Sequence, residues 1–535
     1  MIFTQTTFLE LVNCLKELEI TASRIEKIKI LSSFLKRLND KEIHPTISLI
    51  SGSIFPEGDR RVLEIGDKTL RRILSESKQS TLQRTPLTII TLFNQLEKVA
   101  SISGKGSRSK RESVISSLFG QASNSETDYI IRILMGELRI GIAEGLILEA
   151  IANSSTADVS LVKRAYALTG NLGYTAEQAF RKHTEGLELI ELRLFEPIKP
   201  MLSETASDLQ NAFEIHKGKT ILEYKFDGAR VQIHKQKDRI EIFSRRLSKI
   251  TSSLPEIVEI ISTMTKAQEF ILEGEVIAVD HKGRPLPFQE LMRRFRRLSD
   301  IQKSMKEIPI KLFLFDIIYL EGKSTINLTQ KERRKILEKI CPDKLLTPRL
   351  VTEDIEEAKI FFNKAIAEGH EGLIAKSPDK KYKPGKRDRR WLKIKQVNTL
   401  DLVIAAADWG YGRRQGWLSN YHLVARKDDA YEFLEIGKTF KGLTDEEFKW
   451  MTTRLLDLKI NSNRYTVYVR PEVVVEVAFD EVQKSPHYES GYALRFARII
   501  RIREDKSPED SDTISRVDKI FEDKFKRKGK PHKIK

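Results

Sequence analysis

The chain is poor in sulfur. Of its 535 residues only Cys14 and Cys341 are cysteines, which excludes a disulfide framework and any cysteine-built zinc site. The nine histidines show no metal-ligand spacing. No run approaches the roughly 20 apolar residues of a membrane-crossing helix. The first residues have no leader pattern, because Glu10 and Lys16 interrupt their apolar positions. No internal repeat is evident. Together these absences set the expectation of a monomer in a reducing, intracellular compartment, without membrane attachment.

Cationic charge, in contrast, is abundant. Lys and Arg number 93 against 76 Asp and Glu, a formal net charge of +17. An excess of that size in a chain with 40% hydrophobic residues fits folded domains that meet a polyanion. The length exceeds what one core serves and implies several domains.

The most chemically loaded stretch is Ile221–Arg230. Glu223, Lys225 and Asp227 are spaced two apart, so an extended strand presents them on one face, with Tyr224 and Phe226 on the other. Asp227-Gly228 is turn chemistry, and Val231 and Ile233 alternate with polar residues beyond it. The pattern predicts a hairpin that presents a lysine among charges. An amine with a free pKa of about 10.4 needs cationic neighbours to become a nucleophile. Arg230, Arg245, Lys376, Arg387, Lys393 and Lys395 are available. The same cations suit a triphosphate.

Further motifs follow in order. Ser244-Arg245-Arg246 closes a strand over Ile240–Phe243. Glu273 and Glu275 alternate on a strand over Phe270–Ala278. Phe315-Asp316 lies in the apolar run Ile310–Leu320. Glu371-Gly372-Leu373-Ile374-Ala375-Lys376 precedes Arg387 and Trp391-Leu392-Lys393-Ile394-Lys395. Each of these alone also reads as a charged edge strand or a core aromatic. Arg293–Arg297 is a basic run with one aromatic inside it, expected to meet phosphates. Beyond Lys395, short alternating segments at Leu402–Ala407, His422–Arg426, Glu432–Ile436 and Val473–Phe479 predict a small antiparallel barrel. Lys524–Lys535 is strongly basic and expected to be disordered.

The first 190 or so residues read as helices. Phe8, Leu11, Val12, Leu15 and Leu18 recur at helical spacing, as do Ile25, Ile28, Leu31, Leu35 and Leu38. Gly104–Arg111 is expected to be a flexible basic loop. Leu138–Gly145 holds glycines that permit a sharp bend. Pro197, Pro200, Met201 and Leu202 mark a break.

Lys225-Phe226-Asp227-Gly228-Ala229-Arg230 resembles the K-x-D-G-x-R motif of the covalent nucleotidyltransferases. The downstream motifs match that superfamily in order. Leu138–Gly145 resembles a segment in the helical DNA-binding domain of archaeal and eukaryotic replicative ATP-dependent DNA ligases, which RNA ligases and capping enzymes are not expected to carry. Arg495-Phe496-Ala497-Arg498 with Arg501-Ile502-Arg503-Glu504-Asp505-Lys506 is similar to the last ligase motif, with Ala497 where proline is common.

The resemblance implies an all-α DNA-binding domain over 1–195, an α+β nucleotidyltransferase domain over 196–397 and an OB-fold β-barrel over 398–535. It implies ATP and Mg²⁺ as cofactors and nicked duplex DNA as partner, in replication, repair and recombination. No convincing clamp-binding peptide is visible, which leaves a sliding clamp open. Lys225 is the implied nucleophile. Glu223 and Phe315 are implied to recognise adenine, and Arg230, Arg245, Lys376, Arg387 and Lys393 to hold phosphates or sugar. Glu275 and Glu371 are implied to hold the metal, with Glu275 also serving ATP. Arg495, Arg498, Arg503, Asp505 and Lys506 are implied to serve the first step from an OB domain that closes over ATP and then swings away about 396–401. An RNA ligase or a capping enzyme would share the lysine, and a non-enzymatic DNA-binding protein would share only the charge.

Overall fold

The computed structural model describes residues 5–527 apart from 53, 56–62, 64, 77–85, 105, 139, 297–300, 397 and 429–431. From Phe8 to Glu188 the described chain forms ten helices, Phe8–Ile20 to Leu172–Glu188. Reciprocal caps start several of them: Thr7 with Glu10, and Ser123 with Glu126. Leu11, Leu15, Leu18, Leu31 and Leu35 are fully buried, as their spacing predicts. Ile25 is not. It sits in the first turn of Arg24–Leu35 and faces solvent.

The basic stretch 104–111 is a loop only at its start. The helix Ser107–Gln121 takes up the rest. Arg108 pairs with Glu112 at 3.0 Å, and Arg111 donates to Ile102 O at 2.7 Å. In Leu138–Gly145, Arg139 lies outside the described residues. The bend there is fastened by the buried Lys27, whose Nζ donates to Ile140 O at 3.2 Å and Gly141 O at 3.0 Å.

The middle of the chain builds two five-stranded sheets. In one the order is Leu202–Thr205, Arg387–Lys395, Gly372–Lys376, Thr220–Lys225, Arg349–Thr352. In the other it is Arg239–Ser244, Ala229–Gln236, Glu269–Ala278, Ile310–Leu320, Lys323–Ser324. The expected hairpin is therefore not formed. The strand bearing Lys225 and the strand bearing Arg230 belong to different sheets, and Asp227-Gly228 carries the chain from one to the other. Gly228 is needed because the strand Glu269–Ala278 presses on it: a Cβ there would lie 2.4 Å from Val276 O. Tyr224 and Phe226 do face a core, where Phe226 stacks on Phe313 at 4.3 Å.

The basic run 293–297 also departs from expectation. Arg294 is buried, ion-paired to Glu256 and donating to Ile308 O at 2.9 Å. Arg293 pairs with Glu290 at 2.6 Å. A run of like charges on a helix is split among its faces by the 3.6-residue repeat, so one member enters the core where it has a partner. The side chains of Arg296 and Arg297 lie outside the described residues.

Beyond residue 398 the chain is strand-rich. Asn398–Trp409, Leu418–Arg426, Phe433–Thr439, Lys459–Ser462, Thr466–Phe479 and Arg498–Ile502 pair antiparallel about one apolar core. This is the antiparallel pairing that the alternating segments predicted. The end of the chain corrects the sequence reading: Ile514–Arg527 is a helix, so the basic stretch from Lys524 is ordered through Arg527, and 528–535 lie outside the described residues. Val517 is buried in the barrel core, with Ile514, Ile520 and Phe521 packed against it. Cys14 and Cys341 are free and buried in separate cores, and burial pushes both thiols up to about 12.

Candidate active site

Lys225 ends its strand directly opposite Gly372. Gly372 has φ +142°, and a Cβ there would lie 2.1 Å from Ile394 O. Its bareness lets the strand Arg387–Lys395 pass close and sets Lys395 beside Glu371. Lys225 Nζ donates to Glu371 Oε2. Glu371 also pairs with Lys395 at 3.4 Å, and Lys395 with Asp480 at 2.9 Å. The result is a charge ladder from the middle domain into the strand-rich one. Burial works against the Lys395 ammonium, but Glu371 and Asp480 outweigh it and hold its pKa above the usual lysine range. Lys393 is held below that range, first by burial and then by Lys395, Lys225 and Arg387. The implied phosphate ligands Lys393 and Arg387 therefore share one electrostatic neighbourhood with Lys225.

This group opens into a cleft of about 590 Å³, lined by Lys225, Asp227, Arg245, Glu275, Glu371 and Lys395 on one side and by Asp480, Arg495 and Arg516 on the other. Burial pushes Glu275 up to about 7, and Glu371 adds to that shift while Lys225, Arg230 and Arg245 oppose it. Two carboxyls meet in this half-enclosed site, and Glu371 is already paired with Lys225 and Lys395. A hard divalent ion takes one or two carboxylates plus phosphate oxygens. The donor set fits Mg²⁺.

Glu273 and Glu275 have different fates despite their shared strand. Glu273 is buried and binds Arg230 at 2.7 Å, while Arg230 Nη1 donates to Met201 O at 2.6 Å. Asp227 accepts from Phe288 N–H at 3.3 Å.

A second group lies beneath the first. Glu223 is buried, with Lys376 Nζ 2.6 Å from its Oε2. Lys376 Nζ also lies 4.7 Å from the Phe315 ring centre and 4.3 Å from that of Trp391. Burial lowers the Lys376 pKa. The structure thus places Lys376 with Glu223 and Phe315.

The last motif is divided. Arg495 lines the cleft and pairs with Glu481 at 3.5 Å. Arg498 is exposed at the start of its strand. Arg503 and Lys506 both bind Asp401, at 3.1 Å and 2.7 Å, and Arg503 also binds Asp505 at 2.7 Å. Arg503 holds the Asp505 carboxyl down at about 2. Sequence reasoning placed Asp401 only at the edge of the expected hinge, without its ion pairs, and missed Asp480; both are isolated acids without local pattern. It also missed Arg516 and Asp523 on the final helix, although Ile514, Val517, Ile520 and Phe521 at helical spacing would have revealed that helix.

Comparison with known proteins supplies the family. Residues 200–395 match the ATP dependent DNA ligase domain. Residues 7–79 and 74–152 match the DNA ligase N terminus, and 414–506 the ATP dependent DNA ligase C terminal region. DNA ligase 1 of Korarchaeum cryptofilum is 41% identical over 97% of this chain and 99% of its own. The DNA ligase of Thermococcus onnurineus is 38% identical over the same shares. A solved structure titled Pmar-Lig_Pre. has a TM-score of 0.55 at 19% identity, covering 92% of this chain and 99% of its own, which speaks for the fold. The chain belongs to the ATP-dependent DNA ligases.

Proposed function

We propose that Lys225 carries AMP between ATP and a nick in duplex DNA. The observation that carries this reading is the placement of Lys225 at the mouth of a cleft shared by two domains, among Arg245, Lys395 and the paired carboxyls Glu275 and Glu371. Domain boundaries fall at 195/196 and 397/398.

Lys225 Nζ first leaves Glu371 and loses a proton. It then attacks the α-phosphorus of ATP, forming a P–N bond as the bond to pyrophosphate breaks. The AMP passes to the 5′-phosphate of the nick, and the 3′-hydroxyl displaces it. Such transfers depend on positioning and charge neutralisation. Lys393, Arg387 and Arg245 neutralise phosphates, and Arg230, fixed by Glu273, orients the sugar side. Glu223 reads the adenine edge and Phe315 stacks on the ring, with Lys376 beneath both. Glu275 and Glu371 would hold Mg²⁺, which when bound withdraws charge from the phosphates.

The helical region grips the DNA backbone, so binding of the full chain weakens steeply with salt as condensed counterions are released. The two buried free thiols suit a reducing, intracellular compartment. Among the described residues no helix is long and apolar enough to cross a membrane.

Incubation with α-labelled ATP and Mg²⁺, followed by a denaturing gel, gives a labelled band for the wild type. Lys225→Ala and Lys225→Arg give none, since a guanidinium stays protonated at any working pH. Full labelling of Lys225→Ala refutes the assignment.

A further inference from the structure

Glu223 is surrounded by cations, but they treat its two oxygens differently. Lys376 Nζ closes on Oε2 at 2.6 Å. Arg334 Nη1 stands 3.9 Å from Oε1. That is too far for a hydrogen bond, and among the described residues Oε1, Arg334 Nη1 and Lys376 Nζ are all buried without a hydrogen-bond partner. Arg334 is kept at this distance from behind. Its Nε donates to Glu338 Oε1 at 2.8 Å and its Nη2 to Thr347 O at 3.3 Å. The Glu223 carboxylate is therefore closely ion-paired at Oε2 and faces only a more distant cation at Oε1. A buried acceptor without a donor is costly unless a ligand meets it.

We propose that Arg334 is a positioning residue for base selection: held back by Glu338 and Thr347, it places positive charge beside Glu223 while leaving Oε1 unmatched, to accept the 6-amino hydrogen of the purine. A 6-aminopurine fills the vacant position with a charge-assisted bond. A 6-oxopurine brings a carbonyl against a carboxylate and is rejected. A purine with nothing at position 6 leaves Oε1 unmet. The half-buried Arg349, whose backbone pairs with that of Glu223, adds positive charge nearby. This inference rests on the reading of Glu223 as the adenine contact.

The test compares self-adenylation of the full chain by ATP and by purine riboside 5′-triphosphate, which lacks the amino group. The readout is the ratio of kcat/KM for the two. Wild type favours ATP by about tenfold or more, the worth of a hydrogen bond to a charged group. Arg334→Met lowers that ratio about tenfold, and Arg334→Lys, which keeps the charge, restores it to within about threefold of wild type. Glu338→Gln offers a variant on a more exposed side chain that leaves the core intact. Its neutral amide oxygen holds Arg334 Nε less firmly than the carboxylate does, so Arg334 moves toward Oε1 and the ratio falls in the same direction. A wild type that does not distinguish the two triphosphates overturns the reading of Glu223 and this proposal with it. A wild type that prefers ATP, with Arg334→Met and Glu338→Gln preserving the ratio while both rates drop equally, leaves Glu223 in place and overturns the role of Arg334.

Discussion

The central domain is joined to its neighbours by two junctions of opposite physical character. On the amino-terminal side, segment 195–201 is fixed mainly by neutral, largely buried groups, with two charged contacts beside them, Lys199 to Glu144 at 2.7 Å and Arg230 to Met201 O at 2.6 Å. Phe195 N–H donates to His234 Nδ1, Ile198 N–H to Gln232 Oε1 and Met201 N–H to Tyr382 Oη, each at 2.9 Å. On the carboxy-terminal side, the contact across the boundary is a part-exposed ion pair, Lys395 with Asp480 at 2.9 Å, and just beyond it Asp401 pairs with Arg503 and Lys506 inside the strand-rich domain. A buried partner removed leaves its mate unsatisfied at about 1–3 kcal/mol. A solvated ion pair exchanges for water at about 0–1 kcal/mol. The first junction is therefore the firmer, and the Lys395–Asp480 pair is the one that water can replace, which is what the proposed movement of the strand-rich domain between ATP and DNA needs.

The comparison is broken most strongly by acid. His234 accepts at Nδ1 and faces Gln232 Oε1 with Nε2, so a second proton would oppose the Phe195 N–H. Burial depresses its pKa to about 3. The folded value lies below the unfolded one of about 6.5, so this contribution to stability is complete above about pH 6.5 and is lost as pH falls toward 3, at up to ~1.4 kcal/mol per pH unit. Denaturant titrations between about pH 7 and pH 4 should show this slope, and His234→Gln should flatten it. An unchanged slope would remove His234 from the account.

Gln232→Ala should cost the next largest amount, about 2 kcal/mol, because Ile198 N–H and His234 lose one acceptor together. Thermal melts check it. A loss below about 0.5 kcal/mol would make the amino-terminal junction no firmer than a surface contact.

On the other side, Lys506→Ala should slow self-adenylation about tenfold more than sealing of a nick that already carries AMP, a difference of ~1.4 kcal/mol. The two rates are measured separately, with ATP and a plain nick, and with a pre-adenylated nick without ATP. Equal losses would mean that Lys506 and Asp401 merely stabilise the barrel.

The smallest effect is that of salt. Raising ionic strength from about 0.1 M to 1 M shortens the screening length from about 10 Å to 3 Å. The distance between labels across 395–480 should broaden, while one across 195–234 stays fixed. Equal broadening would erase the distinction.

Most of the domain order and the chemistry at Lys225 was legible in the sequence, because each motif lies within one strand and alternation alone sets which side chains share a face. The pairing of those strands was not. Asp227-Gly228 carries the same local signal whether the chain turns back or crosses to a second sheet. What decides is the pressure of Val276 on Gly228, a contact 48 residues away in sequence. The same limit hid the ion pairs of Asp401 and Asp480, whose partners arrive from distant strands. Arg294 was misplaced for a related reason: its burial depends on Glu256 and Ile308, which no local pattern announces.

The two buried thiols give the molecule a practical property. Reagents that label cysteine act on the thiolate, and with Cys14 and Cys341 both at about 12 the native chain offers them almost none at neutral pH. Reporter cysteines can therefore be installed in pairs on the surface, one pair spanning each junction, without deleting any native residue. The wild-type sequence is already the silent background that distance measurements on a moving enzyme usually have to be engineered to obtain.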